Sequence, residues 1–338
     1  MGTFLYRIHD FLALIKVLSL PRIVNYLKLY LSYWYTRTGF GFIKAGKPAT
    51  FSFEPIASCN LQCPECPAGL HELTRNQGMA SYELFHTVLK ALAPNAFYTT
   101  IYFQGEPLLH PHFEEFVRMA KEHKLYTATS TNAHFLDEVN AQALVIAGLN
   151  RLIISLDGLD QKTYEKYRRG GDLQKVTEGI KTIRRARTEL KALTPLIVVQ
   201  FIVMKHNEHQ MNDVRKFAYD LGADVVELKT AQIYDMNDPN EIIPINSKYS
   251  RYNRDQNGLM HLKSSLPNHC FRVWSSTVIS WDGKVLPCCY DKDGDNAYGN
   301  LSTTDFESII SSNQASGFQH RIFSGRKEIE ICRNCPEK

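Results

Sequence analysis

The chain has 338 residues, 44% of them hydrophobic, and a formal net charge of +4 at pH 7. This length suffices for one large core or for a barrel with a small appendage. The small charge, without any nucleic-acid motif, argues against a nucleic-acid partner. Three of the eight cysteines lie within residues 59–66 and five within 270–335. Such clusters indicate metal ligation rather than a disulfide framework, and therefore a reducing, cytoplasmic compartment.

The first 46 residues carry two amphipathic helical patterns. Apolar residues recur at helical spacing from Phe4 to Ile15, and the pattern restarts at Pro21 and continues to Trp34. This segment contains six Lys or Arg residues and one acid, Asp10. It lacks the cleavage site of a signal peptide, and its charges are too frequent for a transmembrane helix. Two interpretations stay open: a helical pair packed outside a barrel, or a basic, aromatic element that makes peripheral contact with a membrane.

From residue 50 onward, short apolar runs alternate with longer helical patterns, which predicts βα units, a parallel sheet and the α/β fold class. Gly148 and Gly222 stand where left-handed caps would end two of the helices. Six strands favour a partial (βα)6 parallel barrel over the closed eight-stranded form, with its chemistry at the carboxyl ends of the strands. The strands are expected at 50–56, 98–103, 126–131, 151–156, 196–203 and 224–229. The helices between them are expected at 113–121, 138–147, 172–191 and 209–221.

A cysteine loop follows the first predicted strand, in the sequence FSFEPIASCNLQCPECP of residues 51–67. Cys59, Cys63 and Cys66 are spaced C-x3-C-x2-C, and two prolines prevent a helix through the loop. Three thiolates at this spacing can hold three irons of a [4Fe–4S] cube and leave the fourth iron without a protein ligand. Zinc is the alternative, but it would need a fourth Cys or His nearby, and His71 opens a polar stretch.

This loop resembles the signature of the radical S-adenosylmethionine (SAM) superfamily, which carries C-x3-C-x2-C after the first barrel strand. The resemblance implies that SAM chelates the open iron and is cleaved reductively to methionine and a 5′-deoxyadenosyl radical. It also implies an external electron donor such as flavodoxin or ferredoxin. The chain departs from the family at Glu65, where an aromatic residue usually precedes the last cysteine.

The turn after the second strand, Gln104-Gly105-Glu106-Pro107, resembles the family's GGEP motif with Gln104 in place of the first Gly. A glycine permits close backbone approach, and a carboxylate suits the ammonium group of SAM. The resemblance therefore implies that Gly105 and Glu106 contact SAM.

Polar residues also follow the third and fourth strands. Ser130, Asn132 and Ser155 resemble the family's ribose contacts, because short polar side chains can hydrogen-bond ribose hydroxyls. Arg168 stands where the family often places an arginine that pairs with the SAM carboxylate, and Arg169 is the alternative.

The C-terminal segment places Cys270 before a hairpin, predicted at Val278–Pro287 with its turn at Asp282-Gly283. A short helix is expected near 304–312. This order resembles the SPASM/Twitch extension of radical SAM enzymes, and the five cysteines favour its shorter version with one auxiliary [4Fe–4S] cluster. A structural zinc site with four cysteine ligands is the alternative. The cysteines of this segment are Cys270, Cys288, Cys289, Cys332 and Cys335.

Five cysteines compete for four ligand positions, and adjacent residues on a strand point to opposite faces. The family's G-x4-C step selects Cys288 as the ligand that joins Cys270, Cys332 and Cys335. Cys289 then faces either the packing between elements or the substrate. In sulfatase-maturing relatives an Asp at the position of Cys289 accepts the substrate proton, and a thiolate could do the same work.

These patterns predict N-terminal helices at 1–46, a radical SAM barrel at 47–235, a polar linker at 236–268 and an auxiliary iron–sulfur domain at 269–338. The predicted function is that of a radical SAM oxidoreductase that abstracts hydrogen from a small molecule, a lipid- or glycan-linked intermediate, or a peptide. The alternative is an iron–sulfur electron-transfer or scaffold protein. The presence of the SAM-contacting residue types argues against it, because a scaffold has no need of SAM ligands.

Overall fold

The computed structural model describes residues 3–233, 242–257 and 260–336. The chain divides into two compact units. The first unit, which contains the cysteine loop, comprises Met1–Asp10, Cys59–Glu72 and Thr129–Ser265. The second unit, which contains the C-terminal hairpin, comprises Phe11–Ser58, Leu73–Ala128 and Leu266–Lys338.

The described strands confirm the six that were predicted and add several shorter ones. In chain order they are β1 (Thr50–Phe53), β2 (Tyr98–Thr100), β3 (Tyr126–Thr131), β4 (Arg151–Ser155), β5 (Leu196–Val203), β6 (Val225–Thr230), β7 (Tyr252–Arg254), β8 (Met260–Leu262), β9 (Ser276–Ile279), β10 (Lys284–Leu286) and β11 (Gly299–Asn300). The first two strands are shorter than predicted. The first ends early because Pro55 has no N–H group to continue the ladder, and the second ends at Thr100 instead of residue 103.

Helices connect most of these strands. They are α1 (Thr3–Lys16), α2 (Leu20–Arg37), α3 (Pro67–Leu70), α4 (Tyr82–Leu92), α5 (Phe113–Glu122), α6 (Glu138–Ala147), α7 (Gln161–Tyr167), α8 (Leu173–Glu189), α9 (Val214–Leu221), α10 (Phe271–Ser275), α11 (Phe306–Ile310), α12 (Asn313–Gly325) and α13 (Glu330–Arg333). The predicted caps are confirmed, since Gly148 and Gly222 have φ of +81° and +113° at the ends of α6 and α9. Within the described residues, no helix is long and apolar enough to cross a membrane.

In the first unit, β4, β5 and β6 pair in parallel in sequence order, with Arg151 opposite Leu196 and Val198 opposite Val225. The connecting helices start at side-chain caps such as Asp160, whose carboxylate accepts from the Thr163 backbone N–H. This parallel βα arrangement confirms the predicted α/β class. Part of the predicted linker forms the β7–β8 hairpin, and its residues 236–241 and 258–259 lie outside the described residues.

In the second unit, β1 pairs in parallel with β2 on one side and with β9 on the other. The chain then turns at Gly283, with φ of +89°, into antiparallel β10, which confirms the predicted hairpin. The side chains of β1 alternate: Phe51 and Phe53 are buried, while Thr50 and Ser52 are half-buried. The C-terminal hairpin therefore continues the sheet beside β1, the strand that precedes the cysteine loop.

Candidate active site

The three cysteines of the loop lie in the first unit, in an irregular segment that ends where α3 begins at Pro67. None is in a disulfide; Cys63 is buried, and Cys59 and Cys66 are half-buried. All three pack around one apolar cluster that includes Tyr167 and Met204. The structure thus gathers the predicted trio on one side of the loop.

Burial raises the pKa of the Cys63 thiol, and the nearby Arg168 guanidinium opposes that rise. Arg168 Nη1 lies 3.8 Å from Cys63 Sγ, and its Nε donates to Asp157 Oδ2 at 2.6 Å. Asp157 is fully buried, and its other oxygen accepts from the Ile202 backbone N–H at 2.7 Å. The side chain of Arg168 is therefore held against the cysteine loop by a buried carboxylate, whereas Arg169 is exposed.

Asn132 also reaches the cysteine loop. Its amide nitrogen donates to Asn60 Oδ1 at 2.8 Å and lies 3.9 Å from Cys59 Sγ. Ser130 and Ser155 are half-buried near the carboxyl ends of β3 and β4. These are the strand ends at which the sequence places the ribose contacts.

Gly105 and Glu106 lie in the second unit. Gly105 has φ of +79°, and a Cβ there would lie 2.6 Å from the carbonyl oxygens of Ile56 and Ser58. Only glycine fits so close an approach in this conformation. The Glu106 backbone N–H donates to the Ser58 carbonyl at 2.8 Å, and its buried carboxylate accepts from Leu108 N–H at 3.1 Å. The turn is thereby fixed to the backbone directly before Cys59.

A buried ion pair in the second unit was missed by sequence reasoning. Glu54 follows β1 and is fully buried, and both of its oxygens accept from Arg75, at 2.8 and 2.5 Å. The same carboxylate accepts from the backbone N–H groups of Gln104 and Trp281. The carboxylate thus connects the end of β1, the Gly105 turn and the C-terminal hairpin. The only sequence signal was an acid directly after an apolar strand.

Four cysteines of the C-terminal segment are buried, and none is in a disulfide. Burial raises the pKa of Cys332 to about 11, although the Arg326 guanidinium opposes part of the rise; the thiols of Cys270 and Cys335 add to it. Burial also raises the pKa of Cys288, with further contributions from Cys289, Cys270 and Cys332. Iron binds cysteine as the thiolate, so a cluster at these buried thiols would displace their protons. The donor set fits an iron–sulfur cluster.

Cys289 differs from the other four. It is half-buried and packs against the apolar cluster of Phe103, Val278 and Leu286. Its Sγ accepts a hydrogen bond from Arg272 Nη1 at 3.3 Å. Cys289 thus contacts apolar side chains and has a cationic neighbour, and its place outside the ligand set stays a prediction.

Among the described residues, no group of three or more His, Cys, Asp or Glu side chains is arranged to hold a single metal ion. A [4Fe–4S] cube binds each thiolate at a different iron, so its ligands need not converge on one point.

Comparison with protein families gives two matches. Residues 53–218 match the model of the radical SAM superfamily, and residues 270–336 match the model of SPASM, an iron–sulfur cluster-binding domain.

Two curated proteins illustrate the range of relatives. A probable GTP 3′,8-cyclase of Methanocaldococcus jannaschii is 32% identical over 165 residues, which are 49% of this chain and 53% of that protein. The chain thus spans about half the length of this relative. The PqqA peptide cyclase of Bradyrhizobium diazoefficiens is 26% identical over 288 residues, which are 79% of this chain and 71% of that protein.

Among solved structures, SuiB of Streptococcus suis bound to S-adenosylmethionine matches with a TM-score of 0.62 at 14% identity. The match covers 86% of this chain and 72% of SuiB. At this identity the similarity is one of fold.

Proposed function

Because the chain belongs to the radical SAM superfamily and carries a C-terminal SPASM domain, we propose that it abstracts hydrogen from a polar, hydroxylated substrate. The family matches confirm the predicted enzyme class, and the chain is a radical SAM enzyme. Its cofactors are a [4Fe–4S] cluster that binds SAM and auxiliary iron–sulfur clusters in the SPASM domain. The observation that carries the proposed hydrogen abstraction is the cysteine loop with Arg168 held beside it by Asp157.

The proposed roles in the first cluster site follow from position and chemistry. Cys59, Cys63 and Cys66 hold the cube. Arg168 pairs with the SAM carboxylate, since its guanidinium is directed toward the loop and Arg169 is exposed.

The remaining SAM contacts are part of the same proposal. Glu106 accepts from the SAM ammonium group, and Gly105 permits its close approach. Ser130, Asn132 and Ser155 hydrogen-bond the ribose.

In the C-terminal domain we propose one auxiliary [4Fe–4S] cluster held by Cys270, Cys288, Cys332 and Cys335, with Cys289 outside the ligand set. When bound, the first cluster and SAM supply the 5′-deoxyadenosyl radical that takes a hydrogen atom from the substrate, and the auxiliary cluster supplies an electron acceptor or a substrate-binding site. The chain's own residues bind and orient both groups. The role of the Cys289 thiol as a proton acceptor stays a prediction.

The substrate class is suggested by a cavity of about 400 Å³ in the second unit. Hydroxyl groups dominate its lining, and Cys270 and Arg272 also contribute to it. The hydroxyls and one guanidinium favour a hydroxylated group with a negative charge, bound beside the auxiliary cluster that Cys270 would help to hold. A small polar molecule or the glycan part of a lipid-linked intermediate fits this chemistry better than an apolar peptide. The hydroxyl side chains are those of Thr50, Ser52, Tyr98, Thr100, Ser275 and Ser276.

The proposal also includes an external one-electron donor such as flavodoxin or ferredoxin. It includes peripheral membrane contact through residues 1–46. The domains are proposed to be the barrel at 47–235, the linker at 236–268 and the auxiliary iron–sulfur domain at 269–338.

The test is SAM cleavage. Anaerobically reconstituted protein reduced with dithionite should release 5′-deoxyadenosine and methionine. The triple variant in which Cys59, Cys63 and Cys66 become Ala should release neither. Wild-type protein that holds iron but produces no 5′-deoxyadenosine, with or without substrate extracts, would instead support the electron-transfer or scaffold alternative.

A further inference from the structure

Helix α2 lies in the second unit and exposes an apolar stripe while it buries several polar side chains. A helix on a protein surface normally buries its apolar stripe and exposes its polar one. In α2 the polar residues Arg22, Asn25, Ser32 and Thr36 are buried together with Leu29 and Tyr33. The outward face of α2 is apolar and exposed at each position of a helical stripe: Leu20, Ile23, Val24, Leu27, Tyr30, Leu31, Trp34 and Tyr35.

Polar contacts hold this orientation in place. The Arg22 guanidinium donates to the carbonyl oxygens of Val17, Ala93, His123 and Lys124, at 2.6 to 2.9 Å. The Asn25 amide both donates to and accepts from the Lys47 backbone, at 2.9 and 2.8 Å. Rotating α2 to bury its apolar stripe would break these bonds and leave their partners unsatisfied.

The exposed apolar surface continues beyond α2. Phe11 and Phe40 are 62% and 84% exposed, and Ile15 and Ile43 are also exposed. Single exposed apolar side chains are ordinary, but a stripe of exposed apolar side chains along one face of a helix marks an interaction surface.

The charges that residues 11–46 contribute to this surface have one sign, and Glu307, which lies beside Val24 and Lys28, pairs with Lys47. Residues 11–46 contain five Lys or Arg residues and no Asp or Glu. Lys16, Lys28 and Arg37 are exposed, and Arg37 lies over the Trp34 ring at 4.5 Å. Apolar side chains with Trp, Tyr and cations at the margin are typical of helices that lie in the interface of an anionic bilayer.

We propose that the outward face of α2 docks in the plane of an anionic lipid bilayer. This inference deepens the membrane contact proposed above and requires no SAM chemistry. A second copy of the chain would bring the same cations against each other across a two-fold axis, which disfavours a dimer through this face. A bilayer of anionic lipids instead supplies the opposite charge.

The experiment is co-sedimentation of the full-length protein with vesicles of phosphatidylcholine mixed with phosphatidylglycerol. Wild-type protein should sediment with these vesicles at low salt, less with pure phosphatidylcholine, and less at high salt. The double variant Leu27→Ser/Leu31→Ser should partition about tenfold more weakly, because two large apolar side chains no longer insert.

The matched control is Val139→Ser/Ile146→Ser, which removes two apolar side chains that are 75% and 73% exposed on α6. It should bind vesicles as the wild type does, and circular dichroism should show both variants folded. Wild-type protein that stays in the supernatant would overturn the proposal, and so would unchanged binding by the α2 variant. A shift from dimer to monomer in that variant, without vesicle binding, would assign the face to a second copy. If any of these results contradicts membrane docking, SAM cleavage by the same preparation would still support the proposed radical SAM chemistry.

A different observation carries a second inference. Arg326 is fully buried in the C-terminal domain, and its Nη1 donates to the His269 carbonyl at 2.8 Å. Its Nη2 lies 3.6 Å from Cys335 Sγ, and the guanidinium interacts electrostatically with Cys270 and Cys332 as well. One buried cation therefore faces three of the four proposed ligands.

We infer that Arg326 is a positioning residue that raises the reduction potential of the auxiliary cluster. N–H groups and positive charge near cluster sulfur stabilise the reduced form, which carries one more negative charge. Arg326 acts through the cysteine sulfurs and has no proposed contact with the substrate.

A redox titration followed by electron paramagnetic resonance tests this role. The midpoint potential of the auxiliary cluster should fall in Arg326→Gln, and a tenfold change in its redox equilibrium corresponds to about 59 mV. Arg326→Lys keeps a positive charge but loses the planar set of guanidinium N–H donors, and it should lower the midpoint potential less than Arg326→Gln does. Arg321→Gln, which removes an exposed cation of the same domain, should leave the potential unchanged.

If Arg326→Gln binds no cluster, the neutral variant Arg326→Met decides the matter, since a wild-type potential in that variant overturns the inference. Unchanged potentials in Arg326→Gln and Arg326→Lys overturn it as well. A wild-type protein without an auxiliary cluster would instead contradict the proposed function.

Discussion

The change Arg168→Gln tests how the chain binds SAM. Glutamine keeps much of the side-chain length and removes the positive charge. In the structure Arg168 connects Asp157, through a 2.6 Å hydrogen bond, with the loop at Cys63 Sγ, 3.8 Å away. If the same guanidinium binds the SAM carboxylate, the variant loses hydrogen bonds between charged groups.

The magnitude follows from that contact. Hydrogen bonds to charged groups contribute about 1.5–3 kcal/mol, which corresponds to about a 10- to 150-fold rise in Kd. The variant also leaves the fully buried Asp157 without its cation, and breaking a buried ion pair costs about 3–5 kcal/mol of stability. Binding and stability must therefore be measured separately.

The assay is anaerobic calorimetric titration of SAM into cluster-loaded protein, with urea denaturation of the same variants. Arg169→Gln is the matched control. It removes the same charge one residue away, from a side chain that is exposed. It should bind SAM as the wild type does. A folded, cluster-loaded Arg168→Gln protein with the wild-type Kd would refute the assignment, and a loss of affinity confined to Arg169→Gln would transfer the role to Arg169.

Three further predictions concern the remaining cysteines and the buried acid. Glu54→Gln should lower the free energy of unfolding by about 3–5 kcal/mol, because it leaves Arg75 buried without a charge partner; the exposed Glu122→Gln should change it by less than about 1 kcal/mol, and equal urea midpoints would contradict this contrast. Cys288→Ala should lose the auxiliary cluster while Cys289→Ala keeps both clusters, and a loss of iron from Cys289→Ala, measured by elemental analysis, would reverse the ligand assignment. In metal-free protein, burial holds the pKa of Cys332 at about 11, so its thiol is almost entirely protonated at pH 8. Alkylation by iodoacetamide should therefore be slow at pH 8 and accelerate as pH approaches 11, and fast labelling at pH 8 in mass spectra would contradict the burial of this thiol.

The strands and the C-terminal hairpin were predictable because their signals are local. Apolar runs ended by turn residues gave β3, β5 and β6 within a residue or so, and Asp282-Gly283 gave the hairpin turn. The cysteine spacing and the Gly105 turn likewise depend on a few adjacent residues. Helix α12 was missed, because the predicted short helix at 304–312 is α11 and a new cap at Ser312 begins the next helix.

Long-range polar contacts were beyond sequence reasoning. Glu54 and Arg75 are 21 positions apart with no periodic pattern to connect them. The parallel pairing of β9 with β1 joins residues more than 200 positions apart, and no local signal specifies it. For α2 the amphipathic pattern was recognised, but its buried face depends on carbonyl groups at Ala93 and His123 that only the fold brings to Arg22.

Metal analysis tests most directly whether this chain is a radical SAM enzyme with one auxiliary cluster. Anaerobically reconstituted wild-type protein should bind about eight irons per chain, because two cubes hold four irons each. The triple Ala variant of Cys59, Cys63 and Cys66 should bind about four and retain the auxiliary cluster's spectrum. A wild-type content of about four irons and one zinc, with zinc lost in Cys332→Ala, would contradict the auxiliary cluster and establish a structural zinc site in the C-terminal domain.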